Sequence, residues 1–120
     1  MNAHLLAQDS YAATAASVRT PRATEYALLA RTTHALTHAD GFAALVRALH
    51  DNRRLWTTLA ADVAEPGNGL PQELRARLFY LSEFTAHHSR KVLAGEADAG
   101  ALIAINTAVM RGLAGEEAKA

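Results

Sequence analysis

Apolar side chains recur along this chain at intervals of three and four, the period at which residues share one face of an α-helix. Tyr26, Leu29, Thr33 and Leu36 follow that spacing and predict a helix from Pro21 to Ala39. Thr20 ahead of Pro21 is a start signal: the hydroxyl can accept from an orphan amide, and a proline does no harm in the first turn. Asp40 and Gly41 end the helix, with Asp40 placed to cap the next one. From Phe42 onward, Leu45, Val46, Leu49, Trp56, Leu59 and Val63 keep one helical phase across a gap where Asn52 or Arg53 takes the core-facing slot. That phase predicts a single helix over Phe42–Ala64, about 35 Å long at ~1.5 Å per residue. A break near Asp51 and Asn52, both poor helix-interior residues, is the alternative.

Glu65-Pro66-Gly67-Asn68-Gly69-Leu70 reads as a tight loop, too short for a flexible linker. Pro71 restarts a helix that carries Leu74, Leu78, Leu81, Thr85, His88 and Val92 on one face, with Phe84 beside them, and Gly95 stops it. A last helix over Ala99–Leu113 offers Leu102, Ile105, Val109 and Leu113, with Ile103 and Met110 alongside, and is expected to end at Gly115. The tail, 116–120, is expected to fray. Ahead of these elements, Ala3–Ser17 is alanine-rich and could be helical. Leu5, Leu6 and Tyr11 are nearly all its large apolar content, so residues 1–18 are expected to form a weaker, mobile leading helix. With no strand pattern and no repeat, the chain predicts an all-α fold: a single domain over 1–120, an antiparallel bundle of four main helices plus the leading one.

Composition agrees with that class. At 120 residues there is room for one core, and half the residues are apolar, 28 of them alanine. Valine and isoleucine total only seven, which disfavours sheets. Twelve basic residues balance twelve acidic ones, so the long-range field of a protein that grips many phosphates is missing and nucleic acid is a poor match. Ten of the twelve are arginines, which suits local bidentate contacts instead. Without cysteine there is no disulfide, thiol nucleophile or thiolate metal site. No export signal or membrane-length apolar run is recognisable, so the chain is expected to be cytoplasmic with no direct membrane contact.

Candidate chemistry is sparse. His34 and His38 have metal-ligand spacing, but Ala35 stands where a zinc-protease glutamate would follow, and a third ligand could come only from afar, from Glu83, His87 or His88. Histidines at the surface or boundary account for the pair more simply, and no metal or cofactor is expected. There is no nucleophile elbow, no phosphate-binding glycine pattern and no carboxylate pair on a core face, so the chain does not read as an enzyme. The segment Asn52-Arg53-Arg54-Leu55-Trp56 is different, because it interrupts the apolar stripe beside the only tryptophan. Two readings stay open. In one, Asn52 or Arg53 forms an internal polar lock with Asn106 or a helix-end carbonyl. In the other, Asn52, Arg53, Arg54 and Trp56 belong to a partner-binding surface, since arginine and tryptophan concentrate at the energetic centres of interfaces. Arg22, Glu25 and Tyr26 read as structural polar groups on the first turns of their helix, and Asn106 as a register-fixing buried amide.

Four motifs, in order, carry a resemblance. Thr20-Pro21-Arg22 with Glu25-Tyr26, Asn52-Arg53-Arg54-Leu55-Trp56, Gly67-Asn68-Gly69-Leu70-Pro71, and Ile105-Asn106 followed by Met110-Arg111-Gly112-Leu113-Ala114-Gly115 resemble the FlaF family of flagellar biosynthesis regulators. Ala23 departs from the family, which often has an acidic residue there, and so removes a capping-box partner for Thr20. The resemblance implies a small non-enzymatic protein that promotes flagellin synthesis and secretion in the manner of a flagellin chaperone, acting with FlbT. An RNA-binding regulator of flagellin messenger RNA is the alternative. A bundle with a groove could hold one of flagellin's amphipathic terminal helices. Leu5, Leu6 and Tyr11 would then sit on a leading segment that moves aside, with Arg53, Arg54 and Trp56 near the contact. Exposed apolar stripes on a short bundle can also pair, which makes a homodimer compatible with the sequence.

Overall fold

The helices of this protein are delimited by backbone punctuation. In a computed structural model that describes residues 21–119, with side chains from 24 to 112, they are α1 (Pro21–Thr37), α2 (Phe42–Ala64), α3 (Gln72–Leu93) and α4 (Gly100–Lys119). No strand occurs among the described residues. The segment 1–18, with Leu5, Leu6 and Tyr11, lies outside them, as do Thr20 and the side chain of Arg22.

Gly41 begins α2 at φ 90° and ψ 167°, and its carbonyl accepts the first helical bond, from Leu45 N. No side chain caps this helix. The expectation that Asp40 would do so is corrected: glycine itself occupies the N-cap, one residue beyond the aspartate. At the other end Glu65 turns extended, and its carbonyl accepts from Asn68 N at 3.1 Å in a turn with Pro66 at its second position. α2 runs unbroken between these limits through Asp51 and Asn52. Its interior side, Leu49, Asn52, Trp56, Leu59 and Val63, compensates for their low propensity by burial.

α3 ends in a Schellman arrangement. Glu96 N reaches back to Lys91 O at 2.9 Å and Gly95 N to Val92 O at 3.0 Å, with Gly95 in the left-handed region at φ 77°. Asp98 Oδ1 then accepts from Gly100 N at 2.9 Å, which turns the chain into α4. α4 continues past Gly115 to Lys119 rather than stopping at the glycine. Glu116, Glu117, Ala118 and Lys119 are good helix formers, and no proline follows to oppose them.

The four helices form an antiparallel bundle closed on itself. α2 packs most extensively on α3, and α1 lies against both α2 and α4, while α3 and α4 meet over a shorter stretch. α2 and α4 therefore stand on a diagonal, as do α1 and α3, with no close backbone approach across the middle. Leu36, Ala48, Leu49, Val92 and Leu102 make one end of the core, with Ala35, Ala97 and Ala99 packed around them. Within α1 the buried face is Glu25, Leu29, Thr32, Thr33 and Leu36. The expected placing of Tyr26 on that stripe is corrected: it is 40% exposed, and Glu25, one position earlier and one turn before Leu29, faces inward at 7%. Phe42, the first residue of α2, is also exposed.

Candidate functional site

Within the segment Asn52-Arg53-Arg54-Leu55-Trp56, one helical turn separates Asn52 from Trp56, and that spacing aims both side chains at the bundle's interior. Both are buried to within 1%. Opposite them on α4 stands Asn106, equally enclosed. Trp56 Nε1 donates to Asn106 Oδ1 at 2.9 Å, and Asn106 Nδ2 donates to Asn52 Oδ1 at 2.8 Å. The direction of this relay is dictated by its first member. An indole N–H can only donate, so Asn106 must present its oxygen to Trp56, its amide nitrogen to Asn52, and Asn52 must answer with oxygen.

That leaves Asn52 Nδ2 buried with no partner among the described residues, and the hydroxyls of Thr33 and Thr85 are in the same condition. Ser82 Oγ donates to Trp56 O at 3.2 Å and Arg75 Nε to Val63 O at 2.8 Å, which fixes α3 antiparallel to α2. In that register Asn52 lies level with the α3 turn between Thr85 and Ser89, so the middle of the bundle is a polar layer inside an apolar core. Ser89 Oγ satisfies itself locally, on Thr85 O at 2.7 Å.

Arg53 and Arg54 are exposed to solvent. They share the outward side of α2 with His50, Thr57 and Thr58, all exposed, and these five line a shallow depression. Thr58 Oγ1 bonds Arg54 O at 3.0 Å, but neither guanidinium has an ion-pair partner among the described residues. The adjoining carboxylate, Asp51, is exposed and unpaired there as well.

The loop after α2 is held by two side chains. Asn68, fully buried, donates through Nδ2 to Asp62 O at 3.0 Å and accepts Leu70 N at 3.2 Å. Arg75 donates from Nε to Val63 O, a carbonyl at the end of α2, and from Nη2 to Glu65 O at 3.2 Å, a second bond to the carbonyl that also accepts Asn68 N. Gly69, at φ 88°, supplies the left-handed residue that the turn into α3 requires.

His34 and His38 stack with ring centroids 4.1 Å apart, and the Nδ1 atom of His38 lies 3.0 Å from His34 O. No group of three potential metal ligands is assembled among the described residues. No helix among them is long and apolar enough to cross a membrane.

The family model for flagellar protein FlaF matches residues 7–113, nearly the whole chain, with the first three motifs entire and the fourth as far as Leu113. The chain belongs to the FlaF family. No curated protein and no solved structure was found to match it. In this FlaF protein the four motifs fall at distinct structural points: the start of α1 from Pro21 on, the middle of α2, the α2–α3 loop, and α4, where Asn106 is buried and Arg111 exposed. Two of them meet in space, since Asn52 and Trp56 bond Asn106. Arg53 and Arg54, from the same motif, are exposed and take no part in that hydrogen-bond relay. Glu25 is buried and Tyr26 exposed near the start of α1. Sequence reasoning passed over Arg75 and Asn68, which fix the loop. An asparagine between two glycines was a signal for Asn68, whereas nothing local marked Arg75.

Proposed function

We propose that this FlaF-family protein promotes flagellin synthesis and secretion as a flagellin-binding chaperone that acts with FlbT in the cytoplasm. The observation that carries this reading is membership of a flagellar family over nearly the full chain. The physical case adds a way of working. Flagellin subunits expose amphipathic helices before they assemble, and a helical bundle can cover such a helix along i, i+3, i+4 and i+7 positions. The polar trio in the core keeps the bundle in one alignment and so presents a constant outer surface to the subunit.

Mixing the purified protein with flagellin, with FlbT and with both, followed by size-exclusion chromatography with light scattering, tests the reading. A stoichiometric complex with flagellin is expected. Flagellin that elutes alone at concentrations well above micromolar would overturn it. In the three-component mixture, one complex or two mutually exclusive ones distinguishes joint action from competition.

A further inference from the structure

The exposed side of α2 combines cations, hydroxyl groups and a shallow concavity lined by this helix alone among the described residues. His50, Arg53, Arg54, Thr57 and Thr58 follow at i, i+3, i+4, i+7 and i+8 and are all exposed, with Arg53 at the border of the buried face, one turn from Leu49 and Trp56, and the others farther round the helix. Arg47 is exposed and extends the same stripe one turn earlier. A solvated helix face of this kind ordinarily interleaves carboxylates at i±4 with its arginines. Here Asp51 is close in sequence and still pairs with neither arginine.

We propose that this stripe docks a carboxylate-bearing helical segment of the flagellin subunit, with Arg53 and Arg54 as the charged centre and His50 and Thr57 at its sides. The inference rests on the flagellin-binding reading above and assigns it a surface. Charge complementarity selects the occupant. Guanidinium forks match carboxylates in bidentate geometry. From Arg47 to Arg54 the stripe covers about 10 Å, roughly the span of Asp or Glu side chains at i, i+4 and i+7 on a facing helix. A nucleic-acid strand needs a wider basic field, and the chain's twelve acidic residues cancel its twelve basic ones. The stripe is also preorganised, because Asn52 and Trp56, on the same two turns, are locked to Asn106 and hold the backbone that carries the arginines.

The test compares wild type, R53E/R54E and R53K/R54K by calorimetric titration against purified flagellin at about 50 mM and about 300 mM NaCl, a range over which screening of exposed charges changes strongly. Far-UV circular dichroism and melting confirm that each variant is folded, as expected for exposed positions, and the lysine pair keeps the charge should reversal disturb the helix. The expected result is a roughly tenfold or greater loss for R53E/R54E, an intermediate loss for R53K/R54K, and a wild-type affinity that falls with salt. Wild-type binding with unchanged affinity in R53E/R54E overturns the stripe and leaves the chaperone reading standing. Absence of wild-type binding overturns both. A parallel filter-binding arm uses flagellin transcript: RNA retention lost in R53E/R54E while flagellin affinity is kept would assign the stripe to nucleic acid and overturn the proposal.

Discussion

Asn52 and Asn106, 54 positions apart in sequence, meet amide to amide at 2.8 Å on diagonal helices whose backbones do not otherwise approach. Asn106 uses its remaining face on Trp56, so one carboxamide joins α4 to two successive turns of α2.

Removing Asn106 strands both neighbours at once. Asn106→Ala leaves the Trp56 N–H and the Asn52 oxygen buried without partners and should cost about 3 kcal/mol, at ~1–3 kcal/mol for each group left unmet. Asn52→Ala should cost less, because it also deletes the orphaned Nδ2. The double variant should be milder than the sum of the two by about 1 kcal/mol. Urea unfolding of the four proteins measures this cycle, and strict additivity would show that the amides do not act as a pair.

Trp56 is the only tryptophan and is buried, so it reports on the interior alone. Its emission should be blue-shifted and poorly quenched by acrylamide, in wild type and in R53E/R54E alike. Addition of flagellin should leave its acrylamide accessibility unchanged, because the indole is already enclosed in the core. A red-shifted, readily quenched spectrum in the free protein would contradict the relay.

Arg75 closes the end of α2 with two charge-assisted bonds to carbonyls. Arg75→Ala should destabilise by about 2 kcal/mol, and Arg75→Lys should recover only part of it, since an ammonium cannot reproduce the spread of Nε and Nη2. Hydrogen exchange localises the effect: amides 65–70 should exchange faster in both variants. Protection equal to wild type there would mean the carbonyls are held by other means.

Gly95 separates backbone strain from crowding. A Cβ at this position meets no atom within 4 Å, yet φ is 77°. Gly95→Ala should therefore cost about 1 kcal/mol from the left-handed conformation alone. Gly95→Asn should cost less, because asparagine tolerates that region. Melting temperatures of the two variants decide it, and an alanine variant as stable as wild type would remove the case for strain.

The fold was legible where punctuation and period agreed. Phe42–Ala64 emerges with its observed bounds because Gly41 and Glu65-Pro66 interrupt the helix at the backbone, a local effect. The choice between Asn52 and Arg53 for the inward slot was not local. Both fit the helical phase, and the hydrogen bond that selects Asn52 comes from α4. Glu25 was misjudged against Tyr26 for a related reason: apolarity favoured the tyrosine, whereas the placing of α1 between α2 and α4 turned the carboxylate inward. The link to flagella came from the order of four motifs, since spacing and charge alone pointed no further than a helical binding protein.

Small side chains pack around the apolar end of the core, Ala35 from α1 and Ala97 and Ala99 from the turn between α3 and α4, with Leu102 of α4 enclosed among them. Apolar burial has no directional preference of its own, so it specifies less sharply than a hydrogen bond the height of α4, which a slide by one turn would change by about 5.4 Å. That sliding would carry Asn106 out of reach of Trp56 and Asn52 and strand their polar atoms in hydrocarbon. A single carboxamide thus sets the longitudinal position of a helix that grease alone would leave free to drift.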